Sequence, residues 1–71
     1  MSSSHQPTTL TETMRRHAIA PLRRLLVEED GGDVILTGTL TSFYLKQLAQ
    51  EALRPHLAGR RLLNRVEVVR A

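Results

Sequence analysis

Apolar residues follow two rhythms along this chain. From Val34 to Leu40 they alternate: Val34, Leu36, Gly38 and Leu40 fall on one side, Ile35, Thr37 and Thr39 on the other. A period of two predicts a half-buried strand. Leu22 to Glu29 carries a weaker version, with Leu25 and Val27 opposed to Leu26 and Glu28. Between them lies Glu29-Asp30-Gly31-Gly32-Asp33. Adjacent glycines supply positive φ and the acids favour turn positions, so the two strands form a hairpin. Beyond Leu40 the spacing becomes helical. Leu45, Leu48, Ala49, Ala52, Leu53, His56 and Leu57 make one stripe, and Lys46, Gln47, Gln50, Glu51 and Arg54 lie off it. Thr41 or Ser42 caps this helix. Pro55 ends or kinks it near Arg54, and Gly59 terminates it. Arg60 to Leu63 reads as a connector. Asn64 to Arg70 reads as a third strand, with Val66 and Val68 inward and Arg65, Glu67 and Val69 outward.

The N-terminal part divides in two. Residues 1–8 are polar and without periodicity, and read as a disordered tail. Thr9-Leu10-Thr11-Glu12 fits a capping box. The helix it opens places Leu10, Met14, His17 and Ala18 on one side, and Pro21 ends it with Ala20 as the exit. The order is helix, strand, strand, helix, strand. The expected fold is a single αββαβ domain of the α+β class over residues 9–71: a three-stranded mixed sheet with two helices on one face. The second helix is a crossover, right-handed if the strands it joins run parallel. Both helices cover the same face, because a lone sheet needs one buried side. Ile35, Thr37, Thr39, Arg65, Glu67 and Val69 then line the other face, half apolar and half polar, where a partner can dock. Gly38 stands at an inward position, which predicts a close approach by the helix above it.

Composition narrows the chemistry. A chain of 71 residues is small enough that its core must be simple; domains of about 60 residues bury only about 60% of their unfolded surface. Phe43 and Tyr44 are the only aromatic residues, so the core is aliphatic. The absence of cysteine excludes disulfides and thiolate metal sites. His5, His17 and His56 lie too far apart to suggest a metal site, and no catalytic constellation accompanies them. Ser42 serves better as a cap than as a nucleophile. Glu28, Glu29, Asp30 and Asp33 miss the calcium-loop spacing and read as a solvated turn. Gly31-Gly32 lacks the Gly-Lys-Ser/Thr of a phosphate loop. The expectation is no cofactor, no metal and no enzymatic activity. Met1 to Thr13 holds no apolar run resembling a leader, and no segment reaches the ~18 apolar residues of a span. The chain therefore reads as cytoplasmic, peripheral to a membrane at most, or periplasmic if a leader was removed.

Gly32-Asp33-Val34-Ile35-Leu36-Thr37-Gly38-Thr39-Leu40-Thr41-Ser42 resembles the central signature of BON domains (bacterial osmotically inducible and nodulation): a turn glycine, a strand of type V-x-L-x-G-x-V, a small polar residue and a helix with alanines. Ala49 and Ala52 stand in that helix, and Asn64-Arg65-Val66-Glu67-Val68 is similar to the closing asparagine and strand. The matching signature residues are Val34, Leu36, Gly38, Leu40, Ala49, Ala52, Asn64, Val66 and Val68. The chain departs from the pattern in Arg60-Arg61-Leu62-Leu63, a longer step before the last strand, and in Pro55. The resemblance spans Thr9 to Val69. It implies the αββαβ fold and attachment to phospholipid surfaces or to other proteins in the envelope, and no catalytic residues.

Charge adds a candidate surface. The net charge is +3, and nine of the ten bases are arginine. Four acids between Glu28 and Asp33 separate a basic N-terminal part from a basic C-terminal part. A solvated surface is the simpler reading. The functional one groups Lys46, Arg54, Arg60, Arg61 and Arg65 with Leu57 and Leu62 as a lipid- or partner-binding patch. The bases would attract anionic headgroups at about 1 kcal/mol each, and the leucines would dip among them. Leu62 or Leu63 also belongs to the core. Two other readings remain: a homodimer through exposed sheet edges, and a nucleic-acid binder, which the acidic turn and the lack of a stacking aromatic pair disfavour.

Overall fold

A computed structural model describes residues 10–70. The polar tail and the Thr9 half of the capping box lie outside the described residues. The first helix, α1, spans Leu10–Arg15, with Leu10 and Met14 buried. It ends earlier than Pro21 alone would dictate. The His17 amide donates to the Met14 carbonyl, tightening the last turn, and the His17 Nδ1 atom accepts from the Ile19 amide. Ala18 is exposed and His17 half-buried, so neither extends the buried face as expected. Ile19 and Leu22 supply those contacts instead. Leu22 sits fully buried in a 3-10 turn, Ala20–Arg24, opened by Pro21. The Arg23 guanidinium donates to the carbonyls of His17 and Ala18 and fastens this turn.

The first strand therefore starts later than the alternation suggests. Strand β1 is Leu26–Asp30 and pairs antiparallel with β2, Asp33–Thr37, in a tight hairpin. Gly31, at φ +60°, takes the left-handed turn position; Gly32 does not. Val27 packs against the core while Leu26 and Glu28 are exposed, as the pattern requires.

Strand β2 is interrupted at Gly38 and resumes as β3, Thr39–Leu40. The second helix, α2, spans Phe43–Leu53. Ser42, rather than Thr41, is its cap: the Ser42 Oγ accepts from the Leu45 amide at 3.1 Å. Ala49 and Leu53 are buried and Leu45, Leu48, Ala52 and Leu57 pack around them, but His56 is exposed. Pro55 turns the chain into a single 3-10 turn, Arg54–His56. Ala58 at φ +53° and Gly59 at φ +82° then reverse it.

Arg60 to Leu63 is not a connector. Strand β4 begins at Arg61 and runs to Asn64; β5 follows at Glu67–Val68. β4 pairs parallel with β2, and β5 parallel with β3. The two pairings are one ladder in one register. Asp33 lies opposite Arg61 and Leu40 opposite Val68. Across the break, amides of Arg65, Glu67 and Val69 donate to carbonyls of Leu36, Gly38 and Leu40 at 2.8–2.9 Å. The three-stranded sheet has the order β1-β2-β4, and β3 and β5 form a two-stranded sheet that continues β2 and β4 in the same register.

Both helices touch one another; α1 packs on β1, and α2 on β3 and β4. The core between them and the sheet is Leu10, Met14, Leu22, Leu25, Val34, Leu36, Leu40, Ala49, Leu53 and Val66. This is a small α+β domain with a mixed sheet, and its core contains no aromatic ring. Leu62 joins the core margin and Leu63 does not.

Gly38 is needed for a reason other than helix packing. Its φ is +139°, and a Cβ there would lie 2.6 Å from the Leu25 Cδ2 atom. Leu25 directly precedes β1, and the register of the hairpin, continued by one residue, sets it opposite Gly38. Gly38→Ala should therefore lower stability by about 1–3 kcal/mol through strain and overpacking. Gly32→Ala, facing open space at ordinary φ, should change it by less than about 0.5 kcal/mol. Urea unfolding of both variants checks the contrast.

Candidate functional site

The fold distributes the basic residues over three surfaces. Lys46 and Arg54 lie along the exposed side of α2, where they line a shallow groove of about 330 Å³ with Phe43, Gln47, Gln50, Glu51 and Asn64. Arg54 is paired with Glu51 one turn earlier. Arg61 and Arg65 stand with Leu63 on the opposite, open face of the sheet, because the register places Arg61 beside Asp33 and Leu63 beside Ile35. Arg60 is on neither surface. Its guanidinium is engaged three ways: with the Glu29 carboxylate, with the Leu57 carbonyl at 2.8 Å and with the His56 carbonyl at 3.3 Å. It ties the end of α2 to the edge strand β1. Leu57 and Leu62 pack against the core. The seven residues of the sequence-derived patch thus do not share one surface, and its two leucines have little left to insert elsewhere.

Arg61 illustrates how acids moderate this basic chain. Its Nε atom lies 3.0 Å from the Asp33 Oδ1 atom. The hydrogen bond and charge of Asp33 raise the Arg61 pKa further above the ordinary arginine range. The pair is solvent-exposed and its energetic value is small.

A different cluster emerges where β3 ends. Exposed large apolar residues are Leu26, Phe43, Tyr44 and Val69, at 66%, 63%, 70% and 51%. All four belong to the same end of the sheet. Leu26 opposes Thr37, the Val69 amide reaches the Leu40 carbonyl, and Phe43 and Tyr44 begin the helix that follows. Two arginines accompany them. Arg24 lines a groove of about 490 Å³ with Ala20, Pro21 and Gly38 to Thr41, and Arg70 follows Val69. Neither has an ion pair among the described residues. The groove exists because β1 stops pairing at Thr37 while β3 continues. The carbonyls of Leu36, Gly38 and Leu40 point toward β4 and β5, so alternation turns the backbone groups of Thr39 and Thr41 into the groove.

Sequence reasoning missed this end, although a signal was present. The apolar stripe of α2 starts at Leu45, which leaves both aromatic residues ahead of it and off the core. Strand parity likewise put Leu26 and Val69 outward.

Among the described residues, no group of three or more His, Asp or Glu is placed to hold a metal, and no buried side-chain polar atom lacks a partner. Among the described residues, no helix is long and apolar enough to cross a membrane.

Asn64 links the surfaces. Its Nδ2 atom donates to the Lys46 carbonyl at 3.2 Å and to the Gln50 Oε1 atom at 3.3 Å, while its Oδ1 atom accepts from the Val66 amide at 3.2 Å. One side chain thus fixes α2 on β4 and satisfies the amide at the strand break. Comparisons with protein families, characterised proteins and solved structures returned no match to this chain. Asn64→Asp replaces both donated bonds by a carboxylate facing two oxygens. It should cost about 1–3 kcal/mol at neutral pH. The folded-state pKa of the new acid should lie above its unfolded value, so the deficit should shrink as pH falls and the acid becomes protonated. Unfolding curves of variant and parent at matched pH values test both parts.

Proposed function

We propose that this chain is a BON-like, non-enzymatic attachment module that docks on an anionic phospholipid surface, peripherally, through the end of the sheet where β3 gives way to α2. The αββαβ order agrees with the fold implied by the sequence resemblance. The observation that carries the reading is the exposure of Phe43 and Tyr44 beside Arg24, Lys46 and Arg70. Aromatic rings favour the headgroup level of a bilayer, where one end is apolar and the other wet. Bases beside them gain from the negative surface potential. In the Arg60 to Arg65 region Arg60 and Arg61 are already engaged by acids of the chain, and the one apolar side chain off the core, Leu63, is half-buried, so it ranks second as a docking surface.

A protein partner is the second reading, favoured by the groove beside β3. Backbone groups of Thr39 and Thr41 face it, and an extended segment can add there as a strand.

Co-sedimentation with phosphatidylglycerol vesicles discriminates these readings. The parent protein should bind them and not phosphatidylcholine vesicles. Arg24→Gln with Arg70→Gln should weaken binding roughly thirtyfold, two bases at about 1 kcal/mol each. Phe43→Ser with Tyr44→Ser should weaken it comparably, and Arg61→Gln should leave it within about twofold. Absence of binding by the parent overturns the lipid reading. Loss confined to Arg61→Gln moves the surface to the other end of the sheet.

A further inference from the structure

We propose that a second copy of this chain packs on the open face of the sheet, face to face, about a two-fold axis running along the strands. Ile35 and Leu63 are half-buried but take no part in the core between sheet and helices. They adjoin one another on the open face, since Leu63 lies opposite Ile35 in the ladder. Leu26 and Val69 continue that apolar surface toward the end of β3. Apolar surface of this kind, bordered by charge, is characteristic of association sites.

The charges select the occupant. On the open face β1 contributes Glu28 and Asp30, and the β4 side contributes Arg61, Arg65 and, in β5, Glu67, while Asp33 of β2 is paired with Arg61. The face is acidic along the β1 edge; along the β4 edge the bases Arg61 and Arg65 flank Leu63, with Glu67 beyond them. A two-fold axis parallel to the strands lays the β1 edge of one copy over the β4 edge of the other, twice, with Ile35 near the axis; Asp30 then comes level with Arg61, and Glu28 level with Leu63, between Arg61 and Arg65. An axis across the strands would instead oppose acid to acid and base to base. Glu28, Asp30 and Arg65 have no ion pair within the chain among the described residues, so they are free to meet across the interface.

Pairing through sheet edges is less favourable. Two β1 edges would bring Glu28, Glu29 and Asp30 of both copies together, and like charges opposite one another destabilise a ladder. On the β4 side the Val66 amide is already taken by the Asn64 side chain.

The axis direction has a second consequence. Rotation about the strands keeps both β3 ends pointing the same way. The dimer would present two copies of Phe43, Tyr44, Arg24 and Arg70 on one side. That consequence rests on the lipid reading; the dimer itself does not.

Sedimentation velocity without lipid, between about 10 µM and 1 mM protein, tests the interface. The parent should pass from monomer to dimer over this range. Glu28→Arg and Arg65→Glu should each raise the dissociation constant by at least about tenfold while circular dichroism stays unchanged. An equimolar mixture of these two variants should recover a dimer, because each like-charge contact becomes an opposite-charge one. A parent that remains monomeric overturns the proposal. So do single variants that dimerise like the parent, which would point to edge pairing, and a mixture that stays monomeric. Lipid binding is read separately and its failure leaves this result untouched.

Discussion

The parallel pairing of the second and third strand segments is the constraint on which the other features depend. It runs from the Arg61 amide on the Gly32 carbonyl to the Val69 amide on the Leu40 carbonyl, at 2.8–2.9 Å wherever the bonds join loops to strands. Side-chain parity follows from it. Val34, Leu36, Leu40 and Val66 go to the core; Ile35, Leu63 and Arg65 go to the open face. A slip of one residue would exchange those sets and bury arginines. Two local devices protect the register where the strands are weakest. Gly38 lets the backbone pass under Leu25, and Asn64 occupies the amide that the break leaves exposed.

Much of this was legible in the residues. Alternation from Val34 to Leu40 located the central strand, and the spacing from Leu45 to Leu57 located the crossover helix with its Ser42 cap. The parts that were not legible share a cause: their conformations are set by contacts distant in sequence. The α1 helix stops at Arg15 because a histidine ring and an arginine side chain satisfy backbone groups that a longer helix would have used. Leu62 looks like linker until Val34 is placed beside it. Gly38 was recognised as a close approach, but its neighbour, Leu25, became known only from the path of the chain before β1. For the candidate surface the limit was different. Arginine identity does not reveal engagement, and the basic residues nearest one another in sequence proved to be on different faces.

That distinction shapes the electrostatics of the molecule. Arg23, Arg60 and Arg61 are committed to carbonyls and carboxylates of the chain itself. Guanidinium groups suit such work because their donors are fixed in a plane and can bridge several acceptors. The bases left for external ligands are fewer than the ten of the sequence. They concentrate with the exposed aromatic residues at one end, and opposite an acidic edge on the open face.

The hairpin and the parallel ladder also differ in when they can form. β1 and β2 meet across a two-residue turn, whereas β4 reaches β2 only after the whole of α2 has been made and folded back. Local pairings form early and non-local ones late. On the ribosome the hairpin therefore emerges with its inner edge bare, and the residues from Arg61 onward supply its cover. A chain cut short before Arg61 would keep that edge open, with the apolar side chains of Val34, Ile35 and Leu36 beside it. Such species are prone to aggregate. The C-terminal strand, short as it is, acts in this sense as the chain's own safeguard during synthesis.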